Sequence, residues 1–194
     1  MRILVLGGDG FIGWPLSLDL SKDGHDVFII DNFKRRKIDD ELNVNSLTPI
    51  KSLDHRLLRW KELTNFNIIS ENISIDKDYE NLQKILKEFK PEVIFHLAEF
   101  KSAPYSMRSA SHKIDTVGHN VNAANVILSS IIESEIDTHL IHIGTMGVYG
   151  YSSSENSYIP EGYVDVDIKY DNGFKESRNI LYPFNPGSIY HLSK

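Results

Sequence analysis

Gly7, Gly10 and Gly13 follow a short apolar run in the segment Gly7-Gly-Asp-Gly10-Phe-Ile-Gly13, and an amphipathic stretch comes directly after. Glycine at these places does what a side chain would obstruct. Gly7 allows a tight turn, Gly10 lets the backbone approach a pyrophosphate, and Gly13 lets the next helix sit close to a sheet. The opening amides of that helix, around Phe11 and Ile12, have no intrahelical acceptor and can hold phosphate oxygens. Asp31 ends the next apolar run about twenty residues on, where a carboxylate takes the hydroxyls of a ribose. Strand before, helix after and acid downstream together predict a bound dinucleotide. The carboxylate repels a 2′-phosphate, which favours NAD over NADP. Arg35 and Arg36 read either as a solvated charge run or as contacts to the adenosine end or to a 2′-phosphate.

A second group is Tyr190-His-Leu-Ser-Lys194, with Tyr and Lys at i and i+4 on one face of a helix expected to begin near Gly187. An ammonium beside a phenol favours the phenolate. The tyrosine oxygen can then take a proton from a substrate hydroxyl as hydride leaves. Thr145, after Gly144, can hydrogen-bond the same substrate oxygen, or it can cap a turn. Leu97-Ala98 can line the dinucleotide or belong to a plain core strand. Asn120 reads as a satisfied polar group, or as the residue that orients the lysine through water.

These residues need a frame. Apolar runs at residues 2–6, 26–30, 67–70, 92–97 and 139–143 read as five buried parallel strands. Helices are expected at 11–23, 79–89 and 109–134, giving an α/β, Rossmann-type doubly wound sheet with helices on both faces and ligands at the carboxyl ends of the strands. Two long stretches interrupt it. Residues 34–65 hold a helix near 53–63, and residues 146–187 hold an alternating strand, 163–168, that forms a hairpin through Asp171-Asn-Gly173.

The chain of 194 residues has 27 acidic and 21 basic residues and a net charge of -6, which excludes a broad nucleic-acid footprint. With no cysteine, disulfides and thiol nucleophiles are excluded. Nothing in it reads as a signal or membrane segment, so a cytoplasmic protein is expected. No metal is expected either: His139 and His142 fall on opposite faces of a strand, and His112 and His119 lack an acidic companion in a zinc pattern.

Taken with their neighbours, these residues resemble the extended short-chain dehydrogenase/reductase family and, within it, the UDP-sulfoquinovose synthase branch. The likeness rests on the glycine turn with Trp14, Asp31-Asn32 before Arg35-Arg36, Ser46-Leu-Thr-Pro-Ile50, Arg59-Trp60-Lys61, Ser102-Ala-Pro-Tyr-Ser-Met107, Gly144-Thr-Met-Gly147 with Tyr149-Gly150, Glu161-Gly-Tyr163 and Tyr190-His-Leu-Ser-Lys194. The resemblance implies UDP-glucose and sulfite, or a sulfite donor protein, as partners. In the implied reaction the sugar C4 hydroxyl is oxidised, water leaves across C5 and C6, sulfite adds at C6, and C4 is reduced again with NAD regenerated. It makes Tyr190 the base, Lys194 its tuner and Thr145 a ligand of the same oxygen, and it puts Lys101, Ser102, Tyr105, Met146 and Gly147 at the sugar or sulfite. Asn32, Asn72 and Ile73 are implied at the adenosine end. Lys101 replaces the family's usual arginine, and Asn72-Ile73 its usual Asp-Ile pair. Such enzymes continue for roughly as long again, so the chain is expected to be the NAD-binding portion, residues 1–194, of a longer enzyme and inactive alone; a homodimer through the long helices is also implied. Other readings are a 4-epimerase, a 4,6-dehydratase, or a dinucleotide sensor without catalysis.

Overall fold

The structure, a computed structural model, describes residues 1–150, 162–182 and 185–194. The five parallel strands are β1 (Arg2–Leu6), β2 (Asp26–Asp31), β3 (Ile68–Asn72), β4 (Val93–His96) and β5 (His139–His142). They lie in the order β3-β2-β1-β4-β5, so the chain reverses its direction of build between β1 and β4. The carboxyl ends of those two strands therefore mark the switch point, the place where such sheets receive ligands. Ile3, Leu4, Val5 and Leu6 are all buried, as a strand covered on both faces requires.

Seven helices accompany the described strands: α1 (Gly13–Lys22), α2 (Lys34–Glu41), α3 (Leu53–Thr64), α4 (Tyr79–Phe89), α5 (Ala103–Ser106), α6 (Ala110–Glu133) and α7 (Ile189–Leu192). In α4 the buried positions Leu82, Ile85 and Leu86 follow the helical period and pack with Leu4, Leu6, Ile94 and, from α6, Ala123 and Ile127. The opposite face of the sheet, with Ile3, Val5, Val27 and Ile29, is covered by Leu53 and Leu57 of α3 and Trp14 and Leu18 of α1. Helices therefore lie on both faces, as expected.

Helix α1 begins at Gly13 and not at residue 11, because the glycine turn occupies residues 7–12. Helix α2 lies inside the stretch read as a loop. Its sequence, Lys-Arg-Arg-Lys-Ile-Asp-Asp-Glu, buries only Ile38, so it carries no apolar period to read.

The chain divides into two compact units, one of Met1–Phe100 with Gly118–Ile143 and the other of Lys101–Val117 with Gly144–Lys194. The first holds the sheet. The second holds α5, a 3₁₀ turn at Met146–Tyr149, α7 and the antiparallel hairpin β6 (Tyr163–Lys169) and β7 (Lys175–Leu181). The hairpin closes as predicted, with the Tyr170 amide donating to the Phe174 carbonyl and Gly173 at φ +83°. Glu161 lies outside the described residues. Among the described residues no helix is long and apolar enough to cross a membrane.

Candidate active site

In the sheet-bearing unit the glycine turn packs hard against β4. Gly7 has φ +89°, and a Cβ there would stand 2.8 Å from both the Ala98 amide nitrogen and the Leu97 carbonyl carbon. A Cβ on Gly13 would collide with the Gly7 carbonyl oxygen and come 2.8 Å from the Gly8 Cα. Leu97 and Ala98 thus touch the turn through their backbones. Where the turn runs into α1, the amides of Phe11, Ile12 and Gly13 find no acceptor among the described residues. The Phe11 side chain is 87% exposed. Unclaimed amides beside glycines that admit no side chain form a cradle that fits a pyrophosphate.

Asp31 sits at the mouth of this cradle. Its Oδ2 accepts from the Asp9 amide at 2.9 Å and its Oδ1 from the Phe33 amide at 2.8 Å. A carboxylate has about four lone-pair positions, so each oxygen keeps room for a ribose hydroxyl. Burial raises the Asp31 carboxyl above the usual range, opposed by those two amide bonds.

The arginines sort differently from their sequence order. Arg35 pairs with Asp39 one turn along α2, at 3.1 Å. Arg36 turns back and grips Asp9 of the glycine turn with two bonds of 2.7 and 2.8 Å, and Arg56 of α3 meets the same carboxylate while its guanidinium lies 4.3 Å over the Trp14 ring. Arg36 and Arg56 thus both pair with the Asp9 carboxylate. Sequence reasoning did not single out Asp9 or Arg56. No spacing rule connects them, because the contact depends on where α2 and α3 fold back.

Asn32 is held by its neighbours, accepting from the Lys34 amide and donating to Ser74 Oγ at 3.0 Å. From Ser74 a polar line continues through Asp76 (2.7 Å) to His119 Nδ1 (3.1 Å), and His119 Nε2 meets the Ala98 carbonyl at 3.1 Å. Ser74 and Asp76, also unforeseen, and His119, read in the sequence only as lacking an acidic companion, tie the ends of β3 and β4 together. Asn72 is exposed at the end of β3, whereas Ile73 is buried in the core and offers a ligand only its backbone. Asn120 is fully buried; its Oδ1 accepts from the Phe100 amide at 2.8 Å and its Nδ2 donates to the Phe100 carbonyl at 3.2 Å. It fills the role of a satisfied core amide.

The second unit brings together residues far apart in the chain. Ser102 caps α5, accepting from the Tyr105 amide, and Tyr105 is buried edge-on against His112. Ser106 Oγ donates to the Ala103 carbonyl and accepts from the Tyr190 amide at 3.2 Å, which fastens the Ser-Ala-Pro-Tyr-Ser-Met segment to α7. Thr145 caps the 3₁₀ turn, its Oγ1 accepting from the Gly147 amide at 3.3 Å. A Cβ on Gly147 would run into the His191 ring, so the glycine is what lets this turn lie on α7. Lys101 and Met146 are exposed. Helix α7 starts at Ile189 with Ser188 as its cap, two residues later than expected, and ends at Leu192, so Lys194 lies past the C-cap Ser193, its amide donating to the His191 carbonyl at 3.4 Å. Burial lowers the Lys194 ammonium to about 8.

A family model, the NAD dependent epimerase/dehydratase family, matches residues 3–194. The chain belongs to this family. Among relatives of the NAD dependent epimerases/dehydratases, the chloroplastic UDP-sulfoquinovose synthase of Spinacia oleracea is 39% identical over 193 residues and that of Sulfolobus acidocaldarius 36% over 195. Both alignments cover the whole chain, which spans 38% and 47% of those proteins' own lengths. The UDP-glucose 4-epimerase of Bifidobacterium longum, solved with NAD+ and UDP, superposes with TM-score 0.64 at 18% identity, covering all of this chain and 46% of that one. The UDP-glucose 4-epimerase of Thermotoga maritima, solved with UDP-glucose, gives 0.61 at 24% identity, covering all of this chain and 48% of that one. These likenesses show the Rossmann-type fold.

Proposed function

We propose that the chain is the NAD-holding portion of a UDP-sulfoquinovose synthase, which joins sulfite to the glucose of UDP-glucose. The observation that carries this reading is the junction in the second unit. The two motifs narrowest to that branch, Ser-Ala-Pro-Tyr-Ser-Met and Gly-Thr-Met-Gly, both pack on the short helix that bears Tyr190. Bound in the cradle, NAD would supply the hydride chemistry at the sugar C4. Tyr190 receives the C4 hydroxyl proton and gives it back, Thr145 donates to the same oxygen, and the Lys194 ammonium favours the phenolate. Lys101, Ser102 and Tyr105 hold the sugar or sulfite, and Met146-Gly147 borders it. The cradle of residues 7–13 holds the pyrophosphate, Asp31 and Asn32 the ribose, and Asn72 and the Ile73 backbone the adenine.

Supplying UDP-glucose, NAD and sulfite to a longer protein that contains this chain is expected to consume sulfite and yield UDP-sulfoquinovose. Formation of UDP-galactose with sulfite untouched would overturn the reading and favour a 4-epimerase. A 4,6-dehydratase ranks lower, because Met146-Gly147 stands where an Asp-Glu acid/base pair usually follows the threonine. The chain by itself is expected to bind NAD calorimetrically without sugar turnover.

Asp31→Ala is expected to weaken NAD binding about ten- to a hundredfold, the worth of hydrogen bonds to a charged group. Because burial raises this carboxyl, the wild-type affinity should decline on acidification before an ordinary aspartate would protonate. Titrations between pH 4 and 8 check both results.

Val121, Leu128 and Ile132 are exposed along one face of α6, seven and four residues apart. A homodimer through this face would bury them. Leu128→Asp is then expected to convert dimer to monomer in sedimentation velocity, and a wild-type chain that sediments as a monomer would remove the proposal.

A further inference from the structure

The carboxyl ends of β4 and β5 carry three side chains to which the hydride chemistry gives no role. The strands run parallel with His96 opposite His142, so both rings lie on the same face of the sheet, their centroids 5.0 Å apart. Glu99, three residues past His96, places one oxygen, Oε1, 3.8 Å from His96 Nε2 and 3.9 Å from His142 Nε2. One potential ligand atom from each residue lies within 4.8 Å of the other two. The side chains of His96 and Glu99 are 1% and 4% exposed, while His142, at 33%, keeps one side towards solvent.

Two nitrogens set almost equally far from a single oxygen, each beyond hydrogen-bonding reach, are spaced for a third body among them. We infer that His96, Glu99 and His142 form a three-ligand site for a divalent transition metal of the zinc class. Two imidazoles and one carboxylate are donors that zinc accepts, and they leave a fourth position for water. Calcium and magnesium want oxygen ligands throughout, which this set does not provide. Ligand atoms on a tetrahedral zinc with bonds near 2.1 Å stand about 3.4 Å apart, so the ion would draw each imidazole nitrogen about half an ångström closer to the Glu99 oxygen. Bound there, it would fasten the ends of β4 and β5. The sequence hides this arrangement, because His142 has its partner one strand over and not along its own strand, where His139 aligns with Val93.

The metal-free chain titrated with zinc chloride is expected to bind one equivalent and to melt at a higher temperature. Cobalt chloride is expected to develop the visible absorption of a four-coordinate ion. His142→Ala should lower zinc affinity at least about a hundredfold, since losing even an outer partner of a ligand costs roughly ten- to a hundredfold. Glu99→Gln, which keeps the side-chain shape, should abolish the zinc-dependent rise in melting temperature, whereas His139→Ala, three residues up the same strand, should change neither. Absence of binding by the wild-type chain overturns the site. So does zinc binding of equal strength in the His142→Ala and His139→Ala variants, which would place the ion on scattered surface histidines.

Discussion

Gly13→Ala is expected to lower NAD affinity at least about a hundredfold in a chain that still folds. The added methyl would meet the Gly7 carbonyl oxygen and the Gly8 Cα, both backbone atoms that no rotamer change can move aside. Relief comes only by sliding α1 away from the turn, which carries the amides of Phe11, Ile12 and Gly13 out of line with any bound phosphate. Two lost hydrogen bonds to a charged oxygen, at about 1.5 kcal/mol or more each, are worth the predicted hundredfold. Overpacking of this kind also costs about 1–3 kcal/mol of stability, or several degrees in melting temperature for a domain of this size. Calorimetry with NAD and a thermal melt separate the two effects. Unchanged affinity would mean that the cradle is not where the coenzyme sits.

Tyr190→Phe removes one oxygen and is expected to reduce turnover of the longer protein by about a hundred- to ten-thousandfold, the range for losing a positioned acid or base. NAD affinity should hold, because the Tyr190 amide stays bonded to Ser106 and the ring still packs on His191. Steady-state rates with UDP-glucose, compared with an NAD titration of the same variant, check this split. The pH profile adds a second test. With the Lys194 ammonium lowered to about 8, its support for the phenolate fades as pH rises through that value, so a Lys194→Met variant should lose this feature of the profile. A variant lacking the Tyr190 hydroxyl that turns over at the wild-type rate would transfer the base to another residue.

The helix that bears Tyr190 also shows how far spacing alone can be read. The i, i+4 relation of Tyr190 and Lys194 predicted one helix through both residues, whereas the helix ends at Leu192 and Lys194 lies past its cap. It gave no account of what holds a helix as short as Ile189–Leu192, which is Ser106 from 84 positions upstream and the 3₁₀ turn that lies on it at Gly147. Similarly, Arg35 and Arg36 are indistinguishable as neighbouring charges, and only the path of α2 sends one to Asp39 and the other back to Asp9. Helix α2 itself was invisible, since an almost wholly charged segment with one buried residue carries no periodic signal.

The sheet strands, the glycine turn, the terminal Asp31 and the hairpin turn at Gly173 were all determined by the sequence acting locally. Each rests on a property carried within a few residues: apolar runs of strand length, a φ that only glycine readily adopts, or an acid at a strand end. The grip of Arg36 and Arg56 on Asp9, the line from Ser74 to His119, and the meeting of His96 with His142 were decided only by tertiary structure. Strand order and helix return paths bring such side chains together, and those follow from burying apolar surface over the whole chain, a sum that no short window of sequence contains.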